Sequence, residues 1–182
     1  RQMCIRDRNI SLIEDTLETM NQLITNILKY SIAGTVLYTE ESVDLNALLG
    51  EIKNVLVIPE KLTITISSNL PIVKGDKTKF QQLFQNLIGN AIKFNKKENG
   101  TVEIDCIEKD SFYQFSVKDN GIGIEKKYHD KIFKIFHSLN KNKESTGIGL
   151  SIVKKIVNLY DGEIWLESSL NVGSTFYFTL KK

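Results

Sequence analysis

Three short segments of this 182-residue chain carry residue types suited to a phosphorylated ligand. In Asn86-Leu-Ile-Gly-Asn90-Ala-Ile-Lys93-Phe94 the two amides and the ammonium are four and three residues apart, so on a helix they share one face. An amide oxygen there can coordinate a hard cation, and the lysine can neutralise phosphate. A solvated polar face has the same composition. The second segment is Asp119-Asn120-Gly121-Ile122-Gly123-Ile124. Asn-Gly is a strong hairpin signal. The residues that follow, Glu125-Lys126-Lys127-Tyr128-His129-Asp130, do not alternate as a return strand should. Two glycines around Ile122 would instead let backbone approach a flat ligand. The strand-end carboxylate of Asp119 could then accept from an exocyclic amine such as that of adenine. The third segment, Ser145-Thr146-Gly147-Ile148-Gly149-Leu150, precedes a helix expected at 151–160. It is either a plain helix start or an anion site, where free N–H groups and the helix dipole point outward. None of the three is a Walker A loop or a dinucleotide fingerprint.

The elements that must position these residues follow from periodicity. Ile10, Ile13, Leu17, Met20, Ile24 and Ile27 form a heptad seam, either of an amphipathic helix packed on its own domain or of a bundle-forming dimer helix. Arg6 interrupts the seam, so residues 1–8 read as a tail and 9–34 as the helix, with a domain boundary near Gly34. The domain 35–182 should open with a short strand at Val36-Leu37-Tyr38. Ser42 or Asp44 should cap a helix carrying Leu45, Leu48, Leu49 and Ile52. Lys61–Ser67 alternates as a strand. Asp76 should cap a third helix with Phe80, Leu83, Phe84, Leu87, Ile88 and Ala91 on its buried stripe. Runs 101–107, 111–118, 163–167 and 174–180 read as strands, and 150–160 as a helix. Helices and antiparallel strands in segregated layers make an α+β fold, a two-layer α/β sandwich preceded by a long N-terminal helix.

Composition narrows the function classes. The net charge of +2 gives no global bias toward nucleic acid or a membrane surface. Cys4 and Cys106 are far apart, which suits neither a disulfide framework nor a zinc site and fits a reducing cytoplasm. No apolar run approaches the ~18 residues of a membrane span. The chain starts at Arg1 without a signal-peptide pattern and reads as a piece of a longer protein, whose membrane anchoring these residues would not show.

In this order and spacing, Asn86-x-x-x-Asn90-Ala-x-Lys93-Phe94, Asp119-Asn-Gly-Ile-Gly-Ile124, Ile132-Phe133-x-x-Phe136, Thr146-Gly-Ile-Gly-Leu150 and Gly173-Ser-Thr-Phe176 resemble the N, G1, F, G2 and G3 boxes of histidine protein kinases. The resemblance covers roughly residues 10 to 180. It implies the Bergerat ATP-binding sandwich shared with gyrase, the Hsp90 chaperones and MutL, with ATP and Mg²⁺ as ligands. It assigns Asn90 to Mg²⁺, Asn86 to metal and phosphates, Lys93 to phosphates and Asp119 to the adenine amine. Gly121 and Gly123 would pass under base and ribose, and Gly147 and Gly149 would hinge a lid over 125–145 that Phe133 and Phe136 anchor. Thr175 would lie beneath the adenine, and Ile124, Thr146 and Leu150 complete the nucleotide-binding set. The 10–33 helix becomes the second helix of a dimerisation and phosphotransfer hairpin. The implied partners are that hairpin's acceptor helix, a second kinase subunit and a response regulator.

The chain departs from the family pattern in three places. His137-Ser138 stand where an Arg usually helps place the γ-phosphate, with Lys141 or Lys143 as substitutes, and Phe94 stands where Tyr is common. Hydrolysing relatives carry Glu four residues before the metal Asn; here that position is Asn86, which cannot serve as a base. The family's acceptor His should precede the 10–33 helix, but the only histidines, His129 and His137, fall in the lid. The resemblance therefore implies a kinase catalytic domain whose acceptor lies on a helix absent from this sequence. A non-transferring ATP-binding module and an ATPase of the same fold are the alternatives.

Overall fold

The computed structural model describes residues 2–34, 41–67, 70–137 and 147–182. In chain order the elements are α1 Gln2–Ala33, β1 Glu41–Asp44, α2 Leu45–Val55, β2 Leu62–Ile66, β3 Ile72–Gly75, α3 Lys77–Lys93, β4 Gly100–Glu108, β5 Phe112–Asp119, a 3₁₀ turn Lys126–Tyr128, α4 Gly149–Leu159, β6 Ile164–Ser169 and β7 Gly173–Lys181. The strand expected at Val36-Leu37-Tyr38 lies outside the described residues.

Local chemistry starts the helices. The Asp44 carboxylate accepts from the N–H groups of Asn46 and Ala47, and that of Asp76 from Thr78 and Lys79, so each supplies acceptors to otherwise orphan donors. The 3.6-residue period of α3 then buries Phe80, Leu83, Phe84, Leu87, Ile88 and Ala91 together. In α4, Ile152, Val153, Ile156 and Val157 do the same.

Five strands in the order β2-β4-β5-β7-β6 form the main sheet. Period-two alternation turns Phe115 and Val117 of β5 and Phe176, Phe178 and Leu180 of β7 toward the helices. The rings of Phe84, Phe115 and Phe178 meet in the middle at centroid distances of 4.9 to 6.0 Å. Each buried ring stabilises the fold by roughly 1.5–3 kcal/mol. The expectation of antiparallel strands holds for β4, β5, β7 and β6, but β2 pairs with β4 in parallel. The chain between them includes α3, the long crossover that a parallel pair requires. A second, two-stranded sheet joins β1 to β3. Neither strand was expected: each has four residues, too few to show alternation.

α1 runs without a break from Gln2, through the segment that read as a tail. Its seam residues Ile13, Leu17, Met20 and Ile24 are exposed, whereas Ala33 at its end is buried. The last carbonyls of a helix lack intrahelical donors, and here two ammonium groups supply them. Lys79 of α3 donates to Ile32 and Ala33, and Lys155 of α4 donates to Tyr30 and Ser31. Positive charge at a helix C-terminus is favourable. Burial lowers the pKa of Lys79, Asp76 opposes that shift, and the neighbouring Lys155 adds to it.

Candidate nucleotide-binding site

The alternation that buries Phe115 and Val117 also turns Asp119, the last residue of β5, toward the helix layer, where it is 9% exposed. Its carboxylate accepts the Gly121 N–H at 2.8 Å and a backbone hydrogen bond from Ser174, its cross-strand partner on β7. Burial raises the Asp119 pKa above the ordinary carboxylate range. The two backbone N–H groups and the charge of Lys97 act in the opposite direction.

The chain after Asp119 forms no hairpin. It runs as a pinned loop between the end of α3 and the β6–β7 turn. Ile122 donates its N–H to Phe94 O at 3.2 Å and accepts from the Asn171 N–H at 2.6 Å. The Ile124 N–H donates to Ser168 Oγ at 2.8 Å. Gly123 has φ +69, and a Cβ there would run into the Ser169 carbonyl, so glycine alone fits. Asn120 anchors the loop from beneath. Its Oδ1 accepts from Asn95 and from the Thr101 N–H, and its Nδ2 donates to Asn99 O.

On α3, Asn86 and Asn90 are half-buried and Lys93 is exposed. The Asn86 amide nitrogen donates to Gln82 O at 2.7 Å. Its oxygen faces the start of α4, where a Cβ on Gly149 would sit 2.7 Å from it. Asn90 follows one turn along the same face. The Lys93 ammonium lies 5.8 Å from the Phe94 ring centroid. Gly147, with φ +68, packs its backbone against that of His137, and Leu150 is half-buried on the core. Two of the three sequence segments thus flank the α3–α4 junction, and the third closes the sheet end beside Phe94. Thr146, Lys141 and Lys143 lie outside the described residues.

Two expectations are corrected. Thr175 pairs with the exposed Lys118, on the sheet face away from the helices, because Phe176 points inward. Ser174 shares the face of Asp119 instead and is buried. Counting back from Phe176, Phe178 and Leu180 would have found it, since alternate residues share a face. Phe136 is 56% exposed with φ 61 and anchors nothing. Ile132 is buried, and Phe133 meets Phe176 edge-on at 6.4 Å, so these two hold the segment. His129 Nε2 donates to Ile124 O at 3.0 Å. Ser168 was not anticipated, because a serine on an edge strand carries no periodic signal. Among the described residues no group of three or more His, Cys, Asp or Glu could hold a metal unaided, and no helix is long and apolar enough to cross a membrane.

The fold is a two-layer sandwich that carries a buried carboxylate at a sheet end, a glycine-bracketed loop and a helix N-terminus facing the Asn86 amide. Residues 75–182 match the histidine kinase-, DNA gyrase B-, and HSP90-like ATPase family, and the chain belongs to it. Cyanobacterial phytochrome B of Nostoc sp. strain PCC 7120 is 39% identical over 97% of this chain and 24% of its own length. The signal transduction histidine-protein kinase BarA of Escherichia coli strain K12 is 32% identical over 93% of this chain and 20% of its own. The structure of histidine kinase ThkA in complex with response regulator protein TrrA superposes with a TM-score of 0.71 at 26% identity, covering 95% of this chain and 50% of that one. This chain is similar over nearly all of its length to histidine kinases, and residues 75–182 are its ATPase-like domain. It spans about a quarter or less of the length of these curated relatives.

Proposed function

We propose that this chain binds Mg-ATP between α3 and the start of α4 and passes the γ-phosphoryl group to a histidine on a helix that the sequence does not contain. The observation that supports this reading best is the buried Asp119 carboxylate, held at the end of β5 by the Gly121 N–H, together with the Asn86 oxygen turned toward the start of α4. Asp119 accepts from the adenine amine, and Gly121 and Gly123 bring backbone close to the base. Asn86, Lys93 and the amides at Gly147–Leu150 face the phosphates. Titrating ATP while following ADP release, with and without a supplied acceptor helix, tests it. Transfer to the helix supports kinase chemistry, hydrolysis without it supports an ATPase, and binding alone supports a non-transferring module.

Asn86 separates transfer from hydrolysis. An amide cannot accept a proton usefully near neutrality, whereas phosphoryl transfer needs mainly positioning and charge neutralisation. The donor set at Asn90 fits Mg²⁺, a hard cation that binds through few protein oxygens together with substrate phosphates. When bound, Mg²⁺ neutralises phosphate charge there. Asn90→Ala should therefore erase the Mg²⁺-dependent increment in ATP affinity and leave adenosine binding largely intact by calorimetry. An unchanged Mg²⁺ response would move the metal site elsewhere.

The raised pKa of Asp119 sets a pH dependence. Only the ionised carboxylate has both oxygens free to accept, so ATP affinity should be full well above that pKa. It should fall as pH drops through it, beginning above the range where ordinary carboxylates titrate. A profile flat down to that ordinary range would contradict the role of Asp119. The exposed α1 seam fits a second subunit and a second hairpin helix. The response regulator bound by ThkA suggests the same class of partner here.

A further inference from the structure

We propose that Ser168 is a positioning residue for the adenine pocket, whose hydroxyl ties the Asp119–Ile124 loop to the Gly173 carbonyl and the Ser174 hydroxyl. The inference rests on the adenine reading of Asp119.

A serine hydroxyl has one donor and two acceptor sites, and the surroundings of Ser168 can use all three. Its oxygen accepts the Ile124 N–H at 2.8 Å. It donates to Gly173 O at 2.8 Å, and Ser174 Oγ, 2.9 Å away, is placed to donate to it. Ser174 in turn gives its backbone N–H to the Asp119 carboxylate, and the same carboxylate holds the Gly121 N–H at the near end of the loop. One hydroxyl on β6 thus closes a ring from Asp119 through the loop and back through β7. The loop has a second tie to the same turn, Asn171 N–H to Ile122 O, which does not touch Ser174. Losing the Ser168 hydroxyl therefore leaves the loop attached at Ile122 but frees its far end at Ile124 and releases the side chain of Ser174, whose N–H holds the carboxylate. A merely structural serine would affect stability; a positioning serine affects how Asp119 meets its ligand.

Calorimetry with ATP across pH, on the whole chain, tests this with Ser168→Ala, Ser168→Thr and Asp119→Ala. Ser168→Ala should weaken ATP about tenfold and Ser168→Thr should restore affinity to within about twofold, since threonine keeps the hydroxyl. Ser168→Ala should also move the midpoint of the acid limb upward, because a loosened Ser174 N–H stabilises the Asp119 carboxylate less. Lys97, the charged group acting on Asp119, is the same in every variant. Unchanged affinity and midpoint in Ser168→Ala, with Asp119→Ala still weakened, would overturn the inference alone. Wild-type affinity in Asp119→Ala would overturn the adenine reading and the inference with it. If Ser168→Ala does not fold, Ser174→Ala decides. A loss of about threefold with an upward midpoint supports the ring, and no change in either overturns it.

Discussion

Replacing Asp119 with alanine is expected to weaken ATP binding about ten- to a hundredfold. A hydrogen bond to a charged acceptor contributes roughly 1.5–3 kcal/mol, and each 1.4 kcal/mol is about a factor of ten. The carboxylate is nearly buried, so water cannot take over its role cheaply. The substitution also strips an acceptor from the Gly121 and Ser174 N–H groups. Asp119→Asn is the companion variant: it keeps one acceptor oxygen and should lie between alanine and wild type. Thermal melts of both variants separate lost affinity from lost fold. Wild-type ATP affinity in a folded Asp119→Ala protein would remove this residue from the site.

The second large effect concerns phosphoryl transfer. Incubated with γ-labelled ATP, the 182-residue chain should remain unlabelled at acid-labile, base-stable positions, and a supplied acceptor helix bearing its histidine should take up label. An imidazole must come within about 3–3.5 Å of the phosphorus, in line with the leaving oxygen. Good positioning can contribute roughly 7–11 kcal/mol, a loss of many orders of magnitude when absent. Neither histidine of this chain matches the family's acceptor position. His129 commits its Nε2–H to Ile124 O. His137 packs its backbone against Gly147, so its ring belongs to the segment that borders the site. Robust label mapped to His129 or His137 would overturn both the location of the acceptor and the account of this segment.

What could be read from the sequence was what is local. Asp44 and Asp76 as caps, the α3 stripe from Phe80 to Ala91 and the inward alternation of β7 each depend on residues within a few positions of one another. The same locality made the Asn86–Asn90 face and the buried strand-end Asp119 visible. Pairings across the chain were not visible. The parallel β2–β4 register and the β1–β3 ribbon join residues far apart in sequence and short in length. Ser168 was hidden for the same reason, because its partners Ile124 and Ser174 come from other elements. Thr175 was a different kind of error. Two adjacent hydroxyl residues offered a choice, and the parity of the strand, readable from Phe176, selects Ser174. Phe136 was assigned as an anchor only through the resemblance, by its place in the Ile132-Phe133-x-x-Phe136 motif, whereas it is exposed with φ 61.

The measurement that bears most directly on the central claim is a calorimetric comparison of Mg-ATP with Mg-GTP on the unmodified chain near neutral pH. Adenine offers an amino group where guanine offers a carbonyl, and a carboxylate that cannot donate repels the latter. ATP should bind, with GTP at least about tenfold weaker. Equal affinity for the two nucleotides would contradict it.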